Sequence, residues 1–502
     1  MKNTHQLSDT WLFRALLALI VYLPLPLASN RTWAIAILVT LVALLFASTL
    51  IVWRKHLNDM LAHLDQFRAP LVVFFLFLLV SVLQVVPLPD AVIQVLSPEA
   101  YNVQVTAGLQ GHMHLSLDIY QSRLMLGLTT SYITVFFLCL LLVRDSARLD
   151  LLMSVLVWSG LFQAIVGVFL FSIGAHYRLF FVDIIHENVI GTFVNRNHFA
   201  GYMEMTLAVG IGLMIAKLGR GGPGYSGWKA RVVAALTFVM SPKMRLRLML
   251  VVMVIALVLT RSRMGNSAFF SAMLIVGVIT IVLSRRTAPA TATLILSLVI
   301  VDVFVIGTWV GLDKVVTRLN RTEIVAANAN TNGIAATNGV AASTSSAAQT
   351  QTEAPSPQEE SFEQRSLPAK YSLAMIKQFP AFGTGAGSFY NSFNRYRPPE
   401  ITEYFDHAHN DYIELMCDLG MSAWLLFLVT GMTLWQALRA MRVRQLSIAR
   451  GAAFGTAMSI VALAIHSSVD FNLQIPANAL TFVIILSLAW IAMKLPSPKY
   501  HE

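Results

Sequence analysis

Cysteine and charge are both scarce in this chain of 502 residues. The two cysteines, Cys139 and Cys417, lie inside apolar runs, where a thiol behaves as a small hydrophobic group, so neither a disulfide framework nor a cysteine metal site is expected. Asp, Glu, Lys and Arg together supply only 12% of the residues, whereas about 25% is usual in soluble domains. The two shortages exclude a disulfide-rich secreted domain and argue against a soluble fold.

Hydrophobic residues, by contrast, make up 56% of the chain, and the mean hydropathy is +0.66. They cluster into long runs, and one helical span needs about 20 apolar residues. We therefore predict an all-α polytopic membrane protein with about 12 transmembrane helices. The predicted spans lie near Trp11 to Ala28, Trp33 to Trp53, Pro70 to Pro87, Leu124 to Val143, Leu149 to Ile173, His198 to Ala216, Leu248 to Thr260, Ser267 to Leu283, Thr291 to Leu312, Asn410 to Leu438, Gly451 to Val469 and Ala477 to Met493.

The positions of Lys and Arg indicate how these spans are oriented. If both termini are cytoplasmic, most of the cations fall in short loops on the inner side, which is the positive-inside pattern. Orientation and contact with anionic membrane lipids then explain the formal net charge of +10. Because the basic residues are dispersed over many loops and form no single stripe, nucleic acid is not expected as a partner.

This topology leaves a long polar segment, residues 313–407, on the outer side. It separates residues 1–312, which carry the predicted helices 1–9, from residues 408–502, which carry the predicted helices 10–12. Residues 324–360 are rich in Ala, Asn, Thr, Ser, Gln and Pro and are predicted to be a disordered insert. Residues 361–379 carry large apolar side chains at roughly helical spacing and are predicted to form an amphipathic helix on the outer membrane face.

The outer segment ends in a stretch that places histidines, an amide and acids at the start of an apolar run. Ionisable groups at membrane depth are costly and mark a functional site by default. His409 is the candidate general base, because a histidine pKa of about 6.5 suits proton abstraction at neutral pH; a hydrogen-bonded interfacial histidine is the alternative. His407 is the second candidate base. A carboxylate near His409 would fix its tautomer, and the candidates are Asp406, Asp411 and Glu403.

A set of arginines lies on the outer side, where the positive-inside bias disfavours cations. Arg261 and Arg263 lie in a tight turn between two predicted spans, and Arg196 opens another span. A guanidinium is a planar fork of donors suited to phosphate, and helix N-termini add amide donors. These arginines therefore predict a diphosphate site at the outer leaflet. The alternative is that each of them snorkels to lipid headgroups or caps a helix.

Two other patterns are less specific. His407 and His409 are two positions apart, so on a helix they would point in different directions, and no metal site is expected. The run from Gly383 to Gly387 lacks the Lys and Ser or Thr of a phosphate-binding loop. A turn that returns the chain to the membrane is therefore favoured over a phosphate cradle.

Several motifs carry a family resemblance. His409-Asn410 is followed, after nine residues, by Gly420, and this spacing is similar to a pattern of the bacterial O-antigen ligase and polymerase family. The ligase pattern expects Gly, Thr or Tyr three positions after that glycine, where this chain has Ala423. The other stretches that resemble the family are Gly191 to Gly201, Thr260 to Gly265, Pro380 to Phe389 and His466 to Phe471.

The resemblance implies a large periplasmic loop between helices 9 and 10 of a protein of the bacterial inner membrane. It also implies an undecaprenyl-diphosphate-linked glycan as donor, a lipid A-core hydroxyl as acceptor, and no metal or other cofactor. His409 would remove the acceptor proton, and Asn410 would orient the histidine or a sugar hydroxyl, or cap the following helix. The diphosphate candidates are Arg196, Arg261 and Arg263, followed by Arg365, Arg395 and Arg397.

Other functions stay open at this stage. The same donor chemistry would serve an O-antigen or exopolysaccharide polymerase, whose acceptor is a growing lipid-linked glycan, or a protein O-oligosaccharyltransferase. A transporter or flippase is the alternative of another class, but such proteins place ionisable groups near the membrane midplane and carry internal repeats. A non-enzymatic assembly scaffold would give no reason for the arginines.

Overall fold

The computed structural model describes residues 2–174, 176–179, 182–185, 188–217, 242–283, 362–399 and 405–496. Nearly all of the regular structure in these ranges is helical. The helices are α1 (Lys2–Tyr22), α2 (Thr32–Trp53), α3 (Leu57–Asp65), α4 (Arg68–Val85), α5 (Asp90–Leu96), α6 (Pro98–Thr106), α7 (Ile119–Leu142), α8 (Ser146–Ile173), α9 (Arg196–Lys217), α10 (Pro242–Leu259), α11 (Arg263–Leu283), α12 (Phe362–Gln378), α13 (Phe389–Ser392), α14 (Asp411–Leu419), α15 (Ala423–Val443), α16 (Ser447–His466) and α17 (Pro476–Lys494).

Two short antiparallel hairpins complete the described structure. In the first, β1 (Leu88–Pro89) pairs with β2 (His112–Met113), and in the second, β3 (His176–Leu179) pairs with β4 (Val182–Ile185). Both hairpins lie in connections between long helices.

Within the described ranges, nine segments are long and apolar enough to cross a membrane. This confirms the predicted all-α polytopic membrane fold. The predicted span Thr291 to Leu312 and the predicted insert 324–360 lie outside the described residues. The total of about 12 spans, which assumes about 20 apolar residues each, therefore stays a prediction.

The predicted tenth span is not one continuous helix. The helix that begins at Asp411 ends at Leu419, and a short 3-10 turn over Gly420–Ser422 separates it from α15. Gly420 has a φ of +56°, and a Cβ atom there would lie 2.6 Å from both Gly383 N and Pro380 O. The break occurs because the chain around Gly383 packs directly against this point, where a side chain would not fit.

Helix α9 forms the centre of the bundle. Every side chain from Asn197 to Ala216 is buried, and the helix packs against α8, α10, α11, α16 and α17. The closest neighbour is α16, because Gly212 and Gly451 face each other across the crossing and a Cβ atom on either would collide with the other's carbonyl oxygen. Small residues at a crossing let two membrane helices approach closely. Polar groups on α9 are therefore held away from lipid.

A separate apolar cluster lies where the chain returns to the bundle before α14. Its buried members are Ala100, Met375, Phe379, Phe389, Phe393, Phe405, Ala408 and Cys417. The cluster joins α6, α12 and α13 to the start and middle of α14. Phe405 and Ala408 are thereby fixed on either side of His407, so packing positions the predicted histidines before any polar contact is considered.

Candidate functional site

Residues 405–411, here called the histidine segment, lead directly into α14. Asn410 is the N-cap of this helix: its side-chain oxygen accepts hydrogen bonds from Tyr412 N at 3.0 Å and Ile413 N at 3.1 Å. Its amide nitrogen donates to the carbonyl oxygen of Ser468 at 2.8 Å. Of the roles predicted for Asn410, the geometry therefore supports the helix cap, and a direct catalytic role stays a prediction.

Asp411 ties the histidine segment to residues 467–475, here called the connecting loop, which joins α16 to α17. Its carboxylate accepts a hydrogen bond from Ser467 Oγ at 2.6 Å and another from Leu473 N at 3.1 Å. Its backbone N–H donates to Ser467 O at 3.0 Å. The fully buried carboxylate is bonded to this loop, and the expectation that Asp411 fixes the tautomer of His409 stays a prediction.

The carboxylate that binds His407 is Glu414, which sequence reasoning did not single out. Glu414 Oε1 lies 2.7 Å from His407 Nδ1, and Glu414 Oε2 accepts a hydrogen bond from Ala408 N at 2.8 Å. The Glu414 side chain is 3% exposed, whereas that of His407 is 28% exposed. Burial alone would lower the pKa of His407, but the adjacent Glu414 carboxylate raises this pKa above the ordinary histidine value.

Phe471 of the connecting loop lies among three histidines. The ring of His407 stacks on it at 4.1 Å between centroids, and the rings of His198 and His409 meet it edge-on at 4.5 Å and 5.1 Å. Among the residues that the structure describes, no three or more His, Cys, Asp or Glu side chains are arranged to hold one metal ion. The contacts with Phe471 bring the start of α9, the histidine segment and the connecting loop together.

His409 has an unusual backbone conformation. Its φ is +50°, in the left-handed region that residues other than glycine rarely adopt. Its half-buried side chain lies between Phe471 and Phe405, whose ring centroid is 6.3 Å away. Backbone strain of this kind costs on the order of 1–3 kcal/mol and tends to occur at functional sites. The surrounding hydrogen bonds of Asn410 and Asp411 hold this conformation.

Residues 260–265, here called the arginine turn, join α10 to α11. Ser262 caps α11, because its Oγ accepts a hydrogen bond from Gly265 N at 3.2 Å. Arg261, whose φ is +53°, and Arg263, the first residue of α11, are both exposed while Ser262 between them is buried. The turn therefore presents two guanidinium groups at a helix N-terminus, where the helix dipole also favours anions.

Arg196 is the first residue of α9 and lies two positions before His198, whose ring contacts Phe471. The backbone of His198 is held as well, because its carbonyl oxygen accepts a hydrogen bond from Asn478 Nδ2 at 2.9 Å. Arg196 is thus placed at the edge of the region where the histidines meet. Its side chain is half-buried.

The three weaker arginine candidates lie on the segment between residues 361 and 399. Arg395 is paired with Glu99 of α6, with 2.9 Å between its guanidinium nitrogen and the carboxylate oxygen. Arg397 is half-buried. Arg365 is in α12, and its side chain lies outside the described part of the structure. The pairing of Arg395 with an acid gives it a structural partner, so its role in diphosphate binding is less favoured than that of the arginine turn.

The glycine-rich run is a turn and does not present its amides to a ligand. The N–H groups of Gly385 and Gly387 donate to Asp418 O at 3.0 Å and to Asp418 Oδ2 at 2.7 Å, and Thr384 N donates to Cys417 O at 2.9 Å. All three glycines of the run have positive φ. Since its amide donors are bound to the end of α14, the run positions that helix, as the sequence favours.

Several buried ionisable groups behind Phe471 were not predicted as site residues. His466 Nδ1 lies 2.6 Å from Glu204 Oε1, and both side chains are fully buried. Asp470 Oδ1 lies 3.6 Å from His198 Nε2. Burial would raise the pKa of Asp470, but the adjacent His198 lowers it below the ordinary value. A single acid, Glu204, within an otherwise apolar run was the sequence signal for this cluster, because buried acids in membrane helices need partners.

A comparison with protein families finds a match over part of the chain. Residues 248–428 match the family model described as O-antigen ligase, and they include the arginine turn, the histidine segment and α14. In the comparison with curated proteins, none matches the chain. The family match confirms the resemblance found in the sequence: residues 248–428 are similar to the O-antigen ligase family.

Proposed function

We propose that this protein transfers a glycan from undecaprenyl diphosphate to a hydroxyl of lipid A-core at the periplasmic face of the bacterial inner membrane. The family and the membrane-spanning helices support a membrane enzyme that processes glycans. To this general function, the proposal adds the identity of the donor, the identity of the acceptor and the face of the membrane. Both termini would then be cytoplasmic, as the distribution of Lys and Arg predicts.

The convergence of distant segments around the connecting loop is the observation that carries the proposal. The histidine segment is bound to this loop through Asp411, and the start of α9 meets it through His198 and Phe471. The arginine turn adjoins the same part of α9, because Gly265 packs on Ala200. A candidate base and several arginines from separate parts of the chain thus gather at one end of the bundle.

In the proposed reaction, His409 takes the proton from the acceptor hydroxyl. The hydroxyl oxygen then forms a bond to the anomeric carbon of the donor sugar, and the bond between that carbon and the diphosphate oxygen breaks. The bonding electrons leave with undecaprenyl diphosphate. Positioned bases of this kind contribute about 10²–10⁴-fold to a rate.

His409 suits the role of base better than His407. The raised pKa of His407 increases its protonated fraction at neutral pH, and a protonated imidazole cannot accept a proton. We assign to His407 the role of a cation held by Glu414 and stacked on Phe471. In that form His407 would attract the diphosphate rather than activate the acceptor.

The arginine turn would bind the leaving diphosphate. Arg261 and Arg263 are exposed at the N-terminus of α11, and Arg196 lies at the N-terminus of α9. Cations that are already in place where negative charge develops commonly supply the largest part of such catalysis. The two helix N-termini add positive dipole to the same charge.

An apolar cavity beside the connecting loop supports a lipid-linked donor. Its wall is formed mainly by apolar side chains of α4, α7, α14, α15 and α17, and it includes Leu473 and Gln474 of the connecting loop. A polyprenyl chain is an apolar ligand that such a cavity would accept. The chain would then enter between the helices while its diphosphate stays at the polar end of the bundle.

The proposal is tested by transfer from purified undecaprenyl-diphosphate glycan in liposomes that contain the purified protein. We expect glycan on lipid A-core with the wild type, and a loss of about 10²–10⁴-fold with His409→Ala. His112→Ala, which changes an exposed histidine of β2, is the matched control and should keep wild-type activity. Lengthened lipid-linked glycan without product on lipid A-core would make the protein a polymerase. Absence of transfer to either acceptor would contradict the proposal.

We also propose that the reaction needs no divalent metal ion, because arginines would neutralise the leaving diphosphate. Incubation with EDTA should leave the rate of transfer unchanged. A strong loss that added Mg²⁺ or Mn²⁺ restores would contradict this part of the mechanism.

A further inference from the structure

A buried acid–imidazole pair lies between the arginine turn and the histidine segment. Glu204 is eight positions into α9, or about 12 Å along the helix at 1.5 Å per residue. Its carboxylate lies 2.6 Å from Nδ1 of His466, the last residue of α16, and both side chains are fully buried. Ionisable pairs at membrane depth are costly to bury, and their presence points to a function.

On one side, the pair contacts the arginine turn. Gly265 lies in the first turn of α11, and a Cβ atom there would be 2.6 Å from Ala200 Cβ and 3.1 Å from Glu204 Oε1. The absence of a side chain at Gly265 therefore lets the N-terminus of α11 approach the carboxylate of Glu204. A negative charge at a helix N-terminus is favourable, so an ionised Glu204 at this position would stabilise the end of α11 that carries Arg263.

On the other side, the pair contacts the connecting loop. His466 is followed at once by Ser467, which binds both the backbone and the carboxylate of Asp411. The loop then continues to Phe471, on which the ring of His407 stacks. The position of His466 thus sets where the histidine segment lies.

We propose that Glu204 and His466 are positioning residues that fix the arginine turn relative to the histidine segment. The inference rests on the proposed function, since it gives both elements a part in one reaction. The pair touches neither donor nor acceptor. It acts by keeping the guanidinium groups at the distance from His409 that the transition state requires, and a displacement of about 1 Å can cost about a hundredfold in rate.

The first test replaces the charges while keeping the size of the side chains. In the full chain in liposomes, Glu204→Gln, His466→Gln and the double variant are compared with the wild type for kcat and for KM of the lipid-linked donor. We expect each single variant to lower kcat about tenfold or more, with KM changed by less than about twofold, because ground-state binding of the diphosphate is retained. The double variant should lose about as much as either single one, since the two residues act as a unit.

The matched control for these variants is Tyr202→Phe. It removes another buried hydrogen bond of α9, from Tyr202 Oη to Ser159 Oγ at 2.8 Å, and neither of these residues has a part in the proposed reaction. All rates are divided by the amount of protein that binds donor, so that a purely structural role, which only reduces the folded fraction, leaves kcat unchanged. A normalised kcat of Glu204→Gln within about twofold of the wild type would overturn the proposal.

A second pair of variants tests the same linkage without changing either ionisable residue. Gly265→Ala inserts a methyl group between α11 and Glu204, whereas Gly431→Ala adds one to α15, where no atom lies within 4 Å. We expect Gly265→Ala to lower kcat about tenfold or more and Gly431→Ala to leave it unchanged. Equal rates for the two variants would overturn the proposal. Failure of the proposed function would be distinguishable, because the wild type itself would then show no transfer, and the inference would fall with it.

Discussion

The histidine segment and the arginine turn are built in different ways, although buried contacts connect them. In the histidine segment, side chains as well as backbone are held: Asn410 caps α14, Asp411 binds the connecting loop, and Glu414 binds His407. In the arginine turn, hydrogen bonds of Thr260 and Ser262 hold the backbone, and the side chains of Arg261 and Arg263 are exposed. The difference fits the two tasks, because a base must have one orientation, whereas cations can settle around a charged ligand as it binds.

The two regions share one feature, a residue other than glycine with a positive φ. Arg261 has a φ of +53° and His409 has a φ of +50°. Each conformation costs free energy that the surrounding structure must offset. Two residues that sequence analysis selected for their chemistry are therefore also residues at which the fold accepts strain, as it does at Leu27, Ala28 and Ser29. Backbone strain tends to occur at functional sites, which fits a role for both regions.

Replacement of arginine by lysine tests the arginine turn and has the largest expected effect here. Arg263→Lys keeps the charge but removes the planar fork that binds two oxygens of a phosphate. We expect catalytic efficiency with the lipid-linked donor to fall about tenfold or more, as measured in the liposome transfer assay. Arg68→Lys is the matched control, because Arg68 is also exposed and is the first residue of a long helix, α4, but is not a candidate for diphosphate binding. Wild-type efficiency of Arg263→Lys would remove bidentate phosphate recognition from the mechanism.

Substitution of Glu414 tests the histidine segment through the pH dependence of stability. The folded state raises the pKa of His407, so this residue contributes stability that is fully present below the unfolded-state pKa of about 6.5. That contribution is lost as the pH rises through the higher folded-state pKa. Glu414→Gln should therefore lower the melting temperature in detergent most at acidic pH, and the difference from the wild type should shrink as the pH rises. A difference that grows with pH would contradict the pairing.

How much of the site could be predicted depended on the distance along the chain over which each contact acts. His409 and Arg263 could be selected as candidates because their chemistry and their place at the ends of apolar runs are local properties. The pairing of His407 with Glu414 could not be predicted, since Asp406 and Asp411 are nearer to His407 in sequence and only the folding of the first turn of α14 brings Glu414 to it. The helices could be predicted for the same reason, because a long apolar run is also a local property of the sequence.

The contacts that hold the site together could not be predicted from local sequence, because they join residues that are far apart along the chain. Phe471 meets His198 and His407 across large stretches of chain, and His466 meets Glu204 only because α16 crosses α9 closely. Nothing in the local sequence specifies that crossing. The break at Gly420 was missed because a single glycine within a long apolar run does not reveal that the distant Gly383 turn packs against it.

The smallest expected effect belongs to the helix cap of the histidine segment. Asn410→Ala removes the side-chain oxygen that accepts from Tyr412 N and Ile413 N and the amide that donates to Ser468 O. Loss of such a cap costs about 1 kcal/mol, and Asn410→Asp keeps the acceptor and serves as the control. If Asn410 only caps α14, Asn410→Ala should lower the melting temperature slightly while the transfer rate per donor-binding protein falls by no more than a few-fold. A loss of transfer rate as large as that of His409→Ala would instead show that Asn410 contacts the reacting groups. The histidine segment would then contribute two adjacent catalytic side chains, those of His409 and Asn410.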